Sequence, residues 1–598
     1  MHTKYLNEVV GGSLQENPKT FWSYIRLMKT ENMSIPPLKV NNKLFSTDAA
    51  KANVLNAQFK YVFNVEDAAS LPSKGTSPYN GICNLKIGLE GVTKQLNNIN
   101  PNKASGPDEL PARLLKTVAN EIAPAVQFLF QQSYDEGVVP DDWNLAIVTA
   151  IHKKGPKWDP SNYRPISLTC ILCKIMEHVV LSHMAKHLAD NRILLDSQHG
   201  FREKLSTTTQ LISSVHDWAT TLNNRGQTDL VLLDFSKAFD LVPHHRLAVK
   251  LAFYGIRGPT LRWITAFLNG RKQAVSVNGS LSSWEKVTSG VPQGSVLGPA
   301  LFLLYINDIC QNLQSSIRLF ADDSIIYREI KSPSDHNILQ HDLNLLAAWA
   351  DTWMMKFNIG KCAVMSVSLK RKPSLSSYSI NGESLQRVSQ HEYLGVTITN
   401  DLKWAVHCQK VAVKAGRTLG MLRRTLSPCN REVKTQAYLS LVRPQLEYAC
   451  ESWNPNTKAD INRLENIQRQ AARFVFKDFR RTTHVSPLVE SLSWDPLHTR
   501  RLYYQSAMFY KIHNQLVNIQ MPSSLHTVSS TSRHNHNLTY QHPSPAVDAY
   551  SYTFYPRIIR IWNRLPAEAV YAPSICAFRI VALNAIGVMS PPASLRVL

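Results

Sequence analysis

The chain runs to 598 residues and carries 66 Lys+Arg against 44 Asp+Glu, a formal net charge of +22. That length exceeds what one hydrophobic core fills, so about two to four domains or subdomains are expected, while a hydrophobic fraction of 44% excludes wholesale disorder. The positive excess points to a polyanionic partner, nucleic acid ahead of an anionic membrane surface, although charge alone leaves a merely basic protein open.

In chain order, Asn17-Pro18-Lys19-Thr20-Phe21-Trp22 reads as a helix start with an aromatic face. Ser46-Thr47-Asp48 opens a second helix expected to run through Phe59 and Phe63, and Asp67 to Asn80 reads as a loop. Residues 1–100 show no chemistry and are assigned to an N-terminal extension. Beyond Lys103-Ala104-Ser105-Gly106-Pro107-Asp108, an amphipathic helix is expected from Pro111 to Ala119 and a strand from Ala146 to Ile151, ending in His152-Lys153-Lys154-Gly155. In Asn162-Tyr163-Arg164-Pro165-Ile166, the proline biases Arg164 toward extended backbone. A helix from Leu172 to Leu188 and the polar turn Ser197-Gln198-His199-Gly200-Phe201-Arg202 follow.

Leu230-Val231-Leu232-Leu233-Asp234 is a buried strand ending on a carboxylate. A helix from about His245 to Tyr254 and a basic hairpin over Arg271–Gly279 come next. Ser289 to Pro299 is a Gly/Pro-rich loop that opens a helix ending near Asn307. Ile317 to Tyr327 reads as a hairpin with Asp322-Asp323 at its tip. Leu339, Leu343, Leu346, Trp349 and Trp353 mark an amphipathic helix, Ala363 to Val367 a strand, and Glu392 to Ile398 one more strand with a glycine break. From Asp401 the chain turns helical and basic, with 17 Lys+Arg against 9 Asp+Glu over residues 401–500. Leu464, Ile467 and Ala471 share one face of a helix whose arginines, Arg463 and Arg473 among them, are candidates for nucleic-acid contact; a solvated face is the alternative. Residues 523–548 read as a loop and Tyr555 to Pro566 as ordered again.

Of nine cysteines, only Cys170 and Cys173 show CxxC spacing, and no second Cys/His pair follows at zinc-finger distance, so they read as packed thiols in a reducing compartment. The N-terminus has no apolar signal core and no apolar run spans a bilayer, so an intracellular protein of cytoplasm or nucleus is expected.

Asp234 at a strand end and Asp322 with Asp323 at a hairpin tip bring three carboxylates into play. Alone, Asp-Asp is compatible with a solvated turn. Close together, however, such groups repel unless a cation neutralises them, and hard divalent ions take oxygen ligands of this kind. Three carboxylates can hold two Mg²⁺ about 3.5–4 Å apart, the arrangement used for in-line phosphoryl transfer.

Asp234–Asp240, Gly290–Pro299, Phe320–Asp323, Lys361 and Tyr393–Gly395 occur in the order of the palm motifs of reverse transcriptases. Leu233-Asp234-Phe235-Ser236-Lys237-Ala238-Phe239-Asp240 resembles the non-LTR (LINE-type, Jockey-like) retrotransposon branch, as do Lys153-Lys154-Gly155, Asn162–Ser167 and Gly200-Phe201-Arg202. The resemblance implies an α+β right-hand polymerase fold with fingers, palm and helical thumb. Its expected divisions are an extension over 1–100, a fingers/palm domain over 101–400 (core about 134–398), a basic thumb over 401–480 and a C-terminal region over 481–598.

The resemblance also implies RNA-directed DNA synthesis from an RNA template, a DNA primer and dNTPs. Asp234, Asp322 and Asp323 are then the catalytic ligands of two Mg²⁺, with Mn²⁺ as a substitute. Phe239 falls at the position whose bulk blocks a ribose 2′-hydroxyl, and Phe235, Gln293 and Gly294 lie near the nascent pair. Lys153, Arg164 and Arg202 are expected at the triphosphate, and Lys361 near the leaving pyrophosphate as a proton donor. Full-length relatives carry an endonuclease before the polymerase; none is present here, so a truncated reading frame is expected, with Val581 to Leu598 outside the family pattern. A non-catalytic nucleic-acid-binding remnant and an RNA-dependent RNA polymerase are the rival readings.

Overall fold

The computed structural model describes residues 35–67, 70–528 and 536–586. The expected helix start at Asn17–Ile25 and the end of the Val581–Leu598 segment lie outside them. Gln227–Asp234 is the middle strand of a five-stranded sheet. Asp323–Glu329 pairs with it antiparallel on one side and Ala363–Ser368 antiparallel on the other. Ser316–Phe320 and the short Gln386–Arg387 form the two edges.

Both faces of this sheet are covered, which is why its middle strand reads as an unbroken hydrophobic run rather than an alternating one. Val231, Leu233, Ile326 and Val364 point into a core shared with the helices Ile171–Asp190, His244–Phe253, Gly298–Ile306 and Pro333–Thr352. Leu230, Leu232, Ile325, Tyr327, Met365 and Val367 point the other way. There they meet Leu211, Val215 and Trp218 of the helix Thr207–Asn223, and beyond it the C-terminal helices. The period-two alternation of strand side chains thus assigns each residue to one of two cores.

A second sheet lies upstream: Leu145–His152 sits between Tyr163–Leu168, antiparallel, and Lys272–Val277, parallel. The helix Asp48–Tyr61, capped by Thr47, packs Leu55 and Phe59 onto Val148, Tyr163, Val275 and Val277. Asn56 joins the two, donating to Ser282 Oγ at 2.9 Å and Ser283 O at 2.8 Å while accepting from Gln273 at 3.0 Å. Residues 89–97 form a further helix whose Val92 and Leu96 enter the large core with Phe130 and Trp143.

After residue 400 the chain is helical: Ala405–Thr425, a run from Arg431 to Glu447 with a π-helical turn at Tyr438–Val442, Lys458–Phe476 and Leu497–His513. Among the described residues no helix is long and apolar enough to cross a membrane.

Most expected elements are present, and the departures have local causes. The segment 392–398 is a hairpin, Gln390–Tyr393 with Val396–Thr399, because Leu394 and Gly395 both adopt positive φ (47° and 78°) and reverse the chain. The helix expected over 111–119 ends at Thr117, and a second one continues over Ala119–Glu136. Helices at Thr207–Asn223, Gly258–Leu268 and Leu497–His513 were not anticipated. The first begins with three threonines and is nucleated by a Ser206–Thr209 capping box. On Lys458–Phe476 the apolar face is buried as read, but Arg473 donates to the carbonyls of Asp478, Arg480 and Thr483 and Arg463 pairs with Asp460. Arg473 thus holds the end of the helix, while Arg463 pairs within its first turn.

One buried polar knot ties three of the core helices together. Lys250, fully buried, donates to Asp308 Oδ1 and Tyr305 O, both at 2.6 Å, and lies 3.8 Å from the centre of the Trp353 ring. Lys74 reaches the other carboxylate oxygen at 2.7 Å, and Trp349 Nε1 donates at 2.9 Å. Burial alone would raise the Asp308 carboxyl; the two ammoniums outweigh it and hold the group below its usual range. Asp308→Asn is expected to strand Lys250 and cost about 3–5 kcal/mol, read as a lower urea midpoint. Lys250→Met with Asp308→Leu should lose less than the single change; an equal or larger loss contradicts this account.

Candidate active site

The register of the central sheet does the assembly. Asp323 is the cross-strand partner of Asp234, and Phe320 closes the hairpin opposite Asp323, leaving Ala321-Asp322 as its two-residue turn. Tight hairpin turns need positive φ and normally use Gly or Asn. Here Ala321 takes it, at φ 54°.

The turn is held from below by the loop that precedes Thr207–Asn223. Gln198 Oε1 accepts from Ala321 N at 2.9 Å and from Gly200 N at 2.7 Å, and His199 N bonds Leu319 O at 2.9 Å. A Cβ at Gly200 would overlap the Ala321 backbone nitrogen, so only glycine lets the two segments meet.

In front of this turn opens a cavity of about 710 Å³. Asp234, Asp322, Phe235, Phe239, Gln293, Gly294, Lys153, Arg164 and Lys361 all contribute to its wall. Asp323 stands beside it on the outer side of the turn, opposite Asp234. Arg202 does not reach the cavity: its guanidinium donates to Leu195 O at 2.6 Å and Gln198 O at 3.3 Å. It therefore braces the loop beneath the hairpin, and the expected triphosphate contact is not what its geometry offers.

Electrostatics in the cavity are strongly asymmetric. Burial first, then the proximity of Asp234, raises Asp322. Asp323 is pushed up to about 6 by desolvation and by the charges of Asp322 and Asp234. Lys153 is lowered by desolvation and by Arg164 and Lys361, so cations crowd one wall and carboxylates the other. Lys361 bridges the two sets, its Nζ 2.9 Å from Asp234 Oδ2. Asn358 N donates to the Asp234 carbonyl at 2.7 Å, which fixes the strand end beside Lys361.

Phe239 stacks on Phe302 with ring centres 4.3 Å apart and meets the edge of Phe201 at 6.2 Å. Phe201 is 60% exposed and sits at φ 52°, a strained setting for an aromatic residue. The Phe235 ring is buried against Phe357 at 4.5 Å, so it shapes the strand end from behind.

Gln293 and Gly294 are placed by a dense set of bonds. Gln293 O accepts from Ser167 N at 2.7 Å, and Gln293 Nε2 donates to Asp240 Oδ1 at 2.8 Å. Gly294 has φ 109°, and a Cβ there would come within 2.8 Å of Ser167 O. Glu177, fully buried, accepts from Val296 N at 2.6 Å and Leu297 N at 3.0 Å. Sequence reasoning missed Gln198, Glu177, Asp240 and Phe201. The motif Ser197–Arg202 flagged the first and last, but nothing in spacing shows that a helix glutamate caps a loop about 120 residues away.

Among the described residues no three His, Cys, Asp or Glu side chains converge into a ready-made metal cage. The donor set nonetheless fits a hard divalent ion: carboxylate oxygens only, with the pKa values of Asp322 and Asp323 raised by burial first and by neighbouring carboxylates second. Magnesium characteristically takes one or two carboxylates and completes its shell with water and substrate phosphates.

Residues 151–398 match the family described as reverse transcriptase (RNA-dependent DNA polymerase). Three similar curated proteins come from Drosophila melanogaster. The probable RNA-directed DNA polymerase from transposon BS is 27% identical over 65% of this chain and 44% of its own length. That from transposon X-element is 28% identical over 64% and 43%, and the RNA-directed DNA polymerase from mobile element jockey 28% over 65% and 43%. The chain thus spans less than half the length of these relatives. Divalent metal ions are the general cofactors of reverse transcriptases. The matched residues include the strands that pair Asp234 with Asp323, and over them the chain is similar to the reverse transcriptase family and to the RNA-directed DNA polymerases of jockey-type mobile elements.

Proposed function

We propose that the protein is an RNA-directed DNA polymerase that extends a DNA primer with dNTPs along an RNA template. The reading is carried by one observation: Asp234 and Asp323 face each other across two strands, with Asp322 at the adjoining turn. In this reading the central sheet is the palm, the sheet containing Leu145–His152 belongs to the fingers, and the helices after residue 400 form the thumb.

The primer 3′-oxygen attacks the α-phosphorus of the dNTP, the bond to pyrophosphate breaks, and the hydroxyl proton leaves. Asp234, Asp322 and Asp323 would hold the metal. Two bound Mg²⁺, or Mn²⁺ in their stead, supply charge that stabilises the attacking and leaving oxygens. Lys153 and Arg164, on the opposite wall, draw in and orient the triphosphate. Lys361 lines the same cavity and is the candidate proton donor to pyrophosphate. Phe239, fixed between Phe302 and Phe201, fills the space that a ribose 2′-hydroxyl needs. Gln293 and Gly294, clamped by Asp240 and Ser167, present backbone to the nascent pair.

On a primed RNA template, dNTPs and not NTPs are expected to be incorporated, and Asp322→Ala to abolish extension. Extension with NTPs points to an RNA polymerase instead, and none with either points to a binding remnant. Phe239→Val is expected to raise the NTP/dNTP ratio by on the order of tenfold or more; an unchanged ratio removes its gating role.

A pH dependence follows from the raised carboxyls. A cation must displace the proton of Asp323, raised to about 6, so binding strengthens as pH rises through that value; Asp322 is raised in the same direction. Without a cation Asp323 favours the folded state only while protonated, and that contribution is lost as pH climbs through about 6; Asp322, raised in the same direction, acts with the same sign. Mn²⁺ should therefore raise the melting temperature at pH 8 and have little effect near pH 5. Asp322→Asn should blunt the difference, and equal shifts at both pH values would count against the carboxylates as ligands.

A further inference from the structure

The loop beneath the hairpin turn is braced through its backbone. Gln198 Oε1 joins Gly200 N to Ala321 N, His199 N reaches Leu319 O, and Arg202 turns back onto Leu195 O and Gln198 O. Ser206 and Thr209 then start the next helix. These bonds employ the neighbours of Phe201 and leave its ring out of the bracing.

Phe201 is set against two ordinary preferences. Its φ of 52° is a setting that bulky side chains rarely adopt. With 60% of the residue exposed, burial offsets little of that strain. A backbone outlier held in place beside a candidate active site points to a role there.

What the ring gains is position. Of residues 195–205, Phe201 is the one in the wall of the 710 Å³ cavity. Its ring meets Phe239 edge to face, with centres 6.2 Å apart and planes at 80°, a favourable aromatic arrangement. Phe239 also stacks on Phe302, which is fully buried in the helix Gly298–Ile306 and belongs to the large core. A close-packed core does not yield, so Phe302 stops the Phe239 ring from moving inward. A flat stack does little against sliding or turning away from it, and Phe239 is only half-buried. The edge contact with Phe201 closes one of those ways out.

We propose that Phe201 is a positioning residue for sugar selection, holding the Phe239 ring over the place that a ribose 2′-hydroxyl would occupy. The inference rests on the polymerase reading and adds to it a residue from outside the central sheet. Rejection of a single hydroxyl depends on a wall that cannot move, since an apolar pocket that can give discriminates weakly against so small a group. Selection between dNTPs and NTPs then needs both aromatic rings, one to fill the space and one to keep it filled.

The test is single-nucleotide incorporation by the full chain on a primed RNA template, reading kcat/KM for a dNTP and for the matching NTP. Phe201→Asn removes the ring, and asparagine accepts the left-handed backbone, so the loop is expected to keep its conformation. The variant should raise the NTP/dNTP ratio about tenfold, through a gain in kcat/KM for the NTP. Phe201→Tyr, which retains the ring edge, should keep the ratio of the unaltered protein. Combined with Phe239→Val, Phe201→Asn should raise the ratio no further, because the ring it positions is already gone. If Phe201→Asn lowers the melting temperature, Phe201→Gly, also at ease at positive φ, takes its place. Equal losses for both nucleotides mark a loop that merely supports Asp322 and overturn the proposal. An unchanged ratio, or one that keeps climbing in the double variant, overturns it too. Any of these results in a protein that extends primers with dNTPs refutes the role of Phe201 alone. An unaltered protein that extends with neither nucleotide refutes the polymerase reading and this inference with it.

Discussion

Repulsion among three carboxylates is the constraint around which the domain is built. Antiparallel pairing puts Asp323 opposite Asp234, and a two-residue turn leaves Asp322 no room to retreat. Like charges so close are unfavourable, and the protein offsets them in three ways. It raises Asp322 and pushes Asp323 up to about 6, brings Lys361 onto Asp234, and lines the facing wall with Lys153 and Arg164. Each device is reversible, as the metal-and-triphosphate site proposed above requires.

Rigidity for that arrangement comes from outside the reacting groups. The strand carrying Asp234 is buried on both faces, so a register slip would send Val231 and Leu233 into the wrong core. Gln198 pins the hairpin turn, Glu177 pins the loop carrying Gln293, and Asn358 pins the end of the central strand. Each fixes backbone close to a residue that lines the cavity.

Much of this was legible in the residues. The run Leu230–Leu233 ending on Asp234, and the apolar flanks of Asp322-Asp323, fixed strand and hairpin because burial and period leave few alternatives for such patterns. Of the residues that the resemblance singled out, Arg202 and Asp323 do not line the cavity and the others do. What stayed hidden were long-range polar contacts and turns without a sequence signature. Leu394 in a left-handed turn looks like a strand residue, and the threonine-rich start of Thr207–Asn223 looks unlike a helix. Arg202 and Arg473 illustrate a different limit: a guanidinium reads as a ligand contact until its carbonyl partners are seen.

The family match begins at residue 151, yet the strand Leu145–His152 is already under way there and is flanked on both sides within its sheet. Its outer surface is roofed by the helix Asp48–Tyr61, which Asn56 stitches to Ser282 and Gln273. The start of the family match therefore does not coincide with an edge of the sheet it enters. A fragment trimmed to the matched residues would keep two of that strand's eight residues, lose Val148 and uncover Tyr163, Val275 and Val277, inviting self-association through a bare sheet face.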